Sequence, residues 1–170
     1  MTTSKRKPAR PPAAAEIVVT RVLAAPPKVV WQALTQARRL KRWWAPKGFT
    51  TPACTVDLRV GGSCHFCMRT GDGTDVWGLG TYREIVAPAR LVYTDCFADA
   101  VGHPVSPTRY GVAADFPAET LVTFTLAARK DGKTKLTLRH AVPVPLAMHN
   151  EMAVGWRQML DKLAALLKEG

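Results

Sequence analysis

The sequence predicts an α+β protein, a curved antiparallel sheet of about seven strands wrapped around one long C-terminal helix, with two short helices after the first strand. Three observations carry this expectation. Most of the segment from residue 53 to 141 alternates apolar and polar residues with a period of two. From roughly residue 147 to 168 the period changes, and Met152, Trp156, Met159, Leu160, Leu163, Leu166 and Leu167 form one apolar stripe. A sheet that is apolar on one face must cover that face, and this helix is the only large cover in the chain.

The elements follow in order. EIVVTRVLAA (16–25) is β-branched and reads as a strand. Pro26 and Pro27 then suit a helix start, where a missing N–H costs nothing, and Val30, Ala33, Leu34 and Ala37 recur at helical spacing. Leu40, Trp43 and Trp44 continue as a second short helix that Pro46 ends. In CTVDLRV, Cys54, Val56, Leu58 and Val60 share a face before the Gly61-Gly62 turn. In SCHFCMR, Cys64, Phe66 and Met68 alternate with Ser63, His65 and Arg69. DVWGLGTYREIV is the next strand, its Gly78 and Gly80 marking a bulge or a place where something packs on bare backbone. RLVYTDCFA (90–98) follows. The last hairpin turns at Lys130–Lys133, with Val122, Phe124 and Leu126 facing inward on one strand and Leu136, Leu138 and His140 on the other. The aperiodic stretch 99–118 is a candidate lid, because a loop of this length in a compact fold is usually functional or disordered.

Composition narrows the function classes. The chain has 170 residues, long enough to bury one core, and is organised as a disordered basic tail at 1–14 followed by one domain at 15–170. No apolar run approaches the roughly 18 to 20 residues of a membrane span. The basic start has no apolar stretch before its prolines, so it fails as a secretory signal and a cytoplasmic protein is expected. Its prolines also argue against the amphipathic helix of a mitochondrial presequence. The net charge is +11, but the cations are scattered through every element instead of forming a stripe, so solvated surface charge is favoured over specific nucleic-acid binding. The four cysteines are expected to be reduced and structural. CHFC at 64–67 offers no metal pair if it lies on a strand, because positions three apart point to opposite faces, and no cofactor or metal site is expected.

Five segments carry a family resemblance: APPKVVWQALTQARRLKRWWAPKGF (25–49), VDLRVGG (56–62), WGLGTYREIVAPARLVYTD (77–95), ETLVTFTL (119–126) and GWRQMLDKLAALL (155–167). In residues and order they resemble the START-like, helix-grip (SRPBCC, birch-pollen-allergen-like) superfamily. The similarity is greatest to the branch related to the C-terminal domain of the Aha-type activator of the Hsp90 ATPase. The resemblance implies the helix-grip fold and a cavity between sheet and helix. It also implies that the Trp43-Trp44 pair stands at one mouth of that cavity; either one indole plugs the core and the other lines or gates the pocket, or both belong to the core.

Alternation nominates the cavity wall: Phe66, Met68, Trp77, Phe124 and Leu138 on strands, Met152, Trp156 and Met159 on the helix, and Trp44 at the mouth. Tyr93 and His140 complete the candidate set. Tyr93 and Asp95 share one face of their strand, and the pattern leaves open which way that face points. Gly155, before Trp156, reads as close packing, ligand room or a kink. The expected function is binding of a small hydrophobic or amphipathic molecule. Some members of the superfamily are cyclases or hydrolases of polyketide-like molecules, so an enzyme with His140 as general base is a second reading; no nucleophile motif, phosphate loop or diagnostic acid pair accompanies it. A chaperone-interaction module is a third, although the eukaryotic activator has an additional N-terminal domain where this chain has a short basic tail. The sequence leaves a homodimer open.

Overall fold

The computed structural model describes residues 16–169, so the tail expected at 1–14 lies outside the described residues. The chain runs β1 (Glu16–Leu23), α1 (Pro27–Thr35), α2 (Ala37–Leu40), β2 (Thr50–Val56), β3 (Ser63–Arg69), β4 (Asp75–Val86), β5 (Arg90–Ala98), a 3-10 turn (Pro107–Tyr110), β6 (Thr120–Ala128), β7 (Thr134–Ala141) and α3 (Leu146–Glu169). The seven strands form one antiparallel sheet in the order β1-β7-β6-β5-β4-β3-β2. The strands from β2 to β7 form a meander, and β1 returns to pair with the last of them. This is the predicted α+β architecture, with the curved sheet holding α3 on its apolar face.

Pro27 opens α1 at its first position. Val30, Ala33 and Leu34 bury one side of it. Gln36 then adopts an extended backbone (φ −94°, ψ 121°), which separates α1 from α2. The second helix is shorter than expected. It stops at Leu40, and the chain reaches the tryptophans through turns in which the Trp43 and Trp44 amides both bond to the Leu40 carbonyl (3.1 and 2.9 Å). The Trp43 indole N–H donates to the Ala33 carbonyl at 2.9 Å, pinning this segment beneath α1.

Strand β2 begins earlier and ends earlier than its pattern suggested. Leu58 and Val60 are exposed, in the tight connection between Asp57 and Gly62 that precedes β3. Alternation continued on paper across residues that in the fold belong to a turn. On β6 and β7 the expected inward rows are buried, with Phe124 opposite Leu138 and Val122 opposite His140. Cys64 and Cys67 fall on opposite faces of β3, as three-residue spacing on a strand requires. On α3, Ala153, Trp156, Met159, Leu160, Leu163 and Leu167 are buried against the sheet. The Lys162 ammonium donates to the Pro46 and Phe49 carbonyls (2.9 and 3.0 Å), tying the loop after the tryptophans to this helix.

Gly78 and Gly80 prove to be sites of close approach. A Cβ on Gly78 would lie 2.3 Å from the Phe66 ring, and one on Gly80 would lie 3.0 Å from the Tyr93 ring. The two rings therefore pack directly against bare backbone. The irregularity in β4 falls further along, between Tyr82 and Glu84.

Candidate functional site

Beneath α3 the interior divides into a closed part and an open part. Trp43 is fully buried and meets Trp44 edge-on, with ring centroids 5.2 Å apart. Trp44 is the hub of an aromatic cluster that includes Phe66 (5.6 Å), Trp156 (5.6 Å), Tyr93 (6.3 Å) and Phe124 (6.5 Å). Edge-to-face pairs at such distances add to the stabilisation that burial provides. Between these rings and Leu34, Leu40 and Leu91 only a void of about 10 Å³ remains.

Two adjoining spaces open on the other side of the cluster. One, of about 180 Å³, lies against the ends of β3, β4 and β5 and is lined by Phe66, Met68, Val76, Asp95, Phe97, Phe116, Thr120, His140 and Met152, among others. The second, of about 380 Å³, runs under α3 and is lined by Trp44, Pro46, Glu151, Gly155, Trp156 and Met159. They share Phe66, Met68, Asp95, His140 and Met152, so they adjoin across one wall. Phe97 packs on Phe116 and on Tyr110, and the Tyr110 hydroxyl donates to the Ala98 carbonyl at 2.6 Å. The 99–118 loop is thereby folded over the end of β5, and Phe116 reaches the cavity.

The candidate residues separate accordingly. Trp44, Phe66, Met68, His140, Met152, Trp156 and Met159 line the open space. Tyr93, Phe124 and Leu138 do not. They point inward as expected but are buried in the packed part, Tyr93 and Phe124 against Trp44 and Phe124 also against Trp156. Trp77 touches the rim, but its ring stacks on His65 (centroids 4.7 Å apart), on the opposite face of the sheet from Phe66. Its neighbours Val76 and Gly78 hold the inward positions of β4, leaving the odd-numbered residues for the other face.

His140 is held at both ring nitrogens. The Trp156 indole N–H, which can only donate, points at Nδ1 (3.1 Å), so Nδ1 is the lone-pair nitrogen and the proton sits on Nε2, facing the Thr120 hydroxyl at 2.8 Å. The Thr120 hydroxyl in turn reaches the Asp95 carbonyl at 3.4 Å. Burial pushes the His140 pKa down to about 4, so the ring is neutral at ordinary pH. A protonated ring would lose the Trp156 bond. With its lone pair engaged by protein, His140 has no free basic nitrogen for a substrate.

Asp95 stands opposite Gly80 on β4 and Thr120 on β6, and therefore faces inward with Tyr93. Its carboxyl group makes no hydrogen bond or ion pair among the described residues, and desolvation raises its pKa to about 7. Sequence reasoning left its direction open. The signal that could have found it is the Gly78-x-Gly80 row, whose cross-strand partners Phe97 and Asp95 must share the inward face. Three polar atoms are buried without a partner among the described residues, the Trp44 indole N–H, the Tyr93 hydroxyl and His149 Nδ1.

Comparison with solved structures places this geometry among known relatives. A protein of Chromobacterium violaceum is 31% identical and superposes with a TM-score of 0.73, over 89% of this chain and 96% of that one. An Arthrobacter aurescens protein is 27% identical with a TM-score of 0.75, over 92% and 88% of the two chains. An AHSA1 protein from Silicibacter pomeroyi shares the fold at 24% identity and a TM-score of 0.73, over 91% and 98%. Comparison with curated proteins finds no match. The family model described as activator of Hsp90 ATPase homolog 1-like protein matches residues 24–168, and the chain belongs to that family.

Proposed function

We propose that the protein binds one small hydrophobic or amphipathic molecule in the cavity between the sheet and the N-terminal half of α3. The observation that supports this most directly is the open space itself, walled by Phe66, Met68, Met152, Trp156 and Met159 beside the packed aromatic cluster. Methionines and aromatic rings make an adaptable apolar wall, and each Å² of apolar ligand surface removed from water contributes about 25 cal/mol. In this reading residues 15–170 act as one folding unit, and the 99–118 loop with Phe116 is the lid. Hydrophobic ligand binding is common to proteins of this fold, which supports the reading. The engagement of both His140 nitrogens disfavours the alternative in which that ring is a general base. Among the described residues no helix is long and apolar enough to cross a membrane.

Native mass spectrometry after incubation with a panel of small apolar compounds, followed by denaturing extraction, tests the proposal. One bound molecule per chain is expected for the wild-type protein. Met152→Trp, which fills the space from a partly exposed helix position, should abolish uptake while leaving the melting temperature almost unchanged. Wild-type protein that takes up nothing, or a Met152→Trp variant that binds as well, would overturn it.

A further inference from the structure

The protein is strongly basic, at +11, yet among the described residues no lysine or arginine lines the cavity. Its two formally charged side chains are both acids, Asp95 within and Glu151 at the α3 rim. Asp95 is the unusual one. A carboxylate in an apolar wall ordinarily collects a cation or several N–H donors, because losing hydration without replacement is costly. Here the obvious donor is committed elsewhere: the Nε2 proton of His140 goes to Thr120. Asp95 is left facing the open space with no protein partner among the described residues. Three aromatic rings, Trp44, Phe66 and Trp156, line the same space and present the π faces and edges that attract a cation.

Resting on the reading of the cavity as a ligand site, we propose that the ligand is a cationic amphiphile: an aromatic or apolar body carrying a protonated amine whose N–H groups bond to the Asp95 carboxylate. The charges around Asp95 agree with this. On its own strand its titratable neighbours are Tyr93 and Cys96; Cys64 lies near it on β3, Glu119 just before β6 lies close to Cys96, the neutral His140 comes from β7, and Glu151 from α3. None of these supplies a positive charge. An anionic ligand would bring a third negative group into this space, whereas an ammonium replaces the lost hydration of Asp95 and lowers its pKa again. Amine binding should therefore strengthen as the pH rises from 5 to 8, through the value of about 7 to which burial raises this carboxyl group.

Isothermal titration calorimetry of the full-length protein with three probes of one shape, naphthylethylamine, naphthylethanol and naphthylacetate, separates the ideas. At pH 8 the amine should bind roughly ten- to hundredfold more tightly than the alcohol, as a charge-assisted hydrogen bond predicts, and the acid most weakly. The amine's advantage should shrink at pH 5 while the alcohol's affinity stays level. Asp95→Asn should erase the advantage and keep alcohol binding, which also shows that the variant is folded. Equal affinity of amine and alcohol, a preference for the acid, or an amine preference that survives in Asp95→Asn would overturn the cationic assignment and leave the cavity reading standing. Failure of all three probes to bind, while Trp156→Phe melts as sharply as wild type, would overturn both.

Discussion

At the end of the interior beside α1, Trp43 packs on Trp44, and among Trp44, Tyr82, Tyr93 and Phe124 only about 10 Å³ is left. At the other end Phe66, Met68, Met152 and Met159 face open space next to the Asp95 carboxyl group, which has no partner among the described residues. The same sheet and the same helix build both ends. They differ in what fills the angle between them. The chain between α2 and β2 delivers two indoles to the first end, held by the Trp43 bond to Ala33 and the Thr51 bond to the Trp44 carbonyl. The second end is roofed by the 99–118 loop, which contributes only Phe116. Stability and accommodation are thus assigned to different ends of one core, and the assignment can be tested by breaking each end separately.

The largest effect is expected at the closed end. Phe124→Ala removes a ring that contacts Trp44, Tyr93 and Trp156 in a region with no room to relax, so a loss of about 3–5 kcal/mol is expected in urea denaturation. Met68→Ala at the open end removes a partly exposed side chain that already borders empty space, and about 1 kcal/mol is expected. Equal losses at the two positions would refute the division.

Titration gives a second, smaller contrast, between Asp95 and His140. The folded-state pKa of Asp95 is raised to about 7 from 3.8, so the folded protein holds this proton more tightly than the unfolded chain. The resulting stability is complete at low pH and is lost as pH rises from about 4 to 7. His140 has the opposite sign. Its value is lowered to about 4 from 6.5, so its contribution is complete above about pH 6.5 and is lost as pH falls towards 4. Between about pH 4 and 6.5 the two slopes nearly cancel, and wild-type stability should be almost flat as far as these groups decide it. Removing either one exposes the other. Asp95→Asn should gain stability with rising pH over this window and His140→Gln should lose it, each by about 2 kcal/mol, less than the shifts alone imply because water reaches the cavity. Denaturation midpoints at several pH values check this, and parallel curves for the two variants would contradict it.

What could be read from the sequence follows the same division. A period of two identifies the face of a strand, and on β6 and β7 it identified the inward rows correctly through Phe124, Leu138 and His140. It does not tell how far along the helix axis a residue sits, or what else arrives to cover it. Tyr93 and Phe124 are covered by Trp44, which arrives from a turn far away in sequence, and Phe124 also by Trp156 of α3. Trp77 drew attention by its size, whereas the inward positions beside it belong to Val76 and Gly78, where the Phe66 ring needs the missing Cβ. On β5 the run Leu91, Val92, Tyr93, Thr94 is buried on both faces, so no alternation reveals that Asp95 turns inward. Its direction follows from pairing with Gly80 and Thr120, a long-range fact.

Two glycines sharpen the comparison in its smallest measurable form. At Gly78 there is no space for a methyl group, because the Phe66 ring lies over the backbone. At Gly155, on the cavity side of α3, an added Cβ would meet nothing nearer than the Pro46 Cγ at 3.9 Å, an ordinary contact. Close packing therefore does not explain a glycine in the middle of this helix. Replacing it with alanine should stabilise the helix by up to about 1 kcal/mol, since alanine loses less backbone freedom on folding. The added methyl group would narrow the space between Pro46 and Trp156, so ligand uptake should weaken a few-fold as the melting temperature rises. A gain in one quantity with a loss in the other would mark Gly155 as a residue whose helix propensity yields to room for a ligand. A variant that is less stable than wild type would mean that this side of α3 is as tightly closed as the Trp43 end.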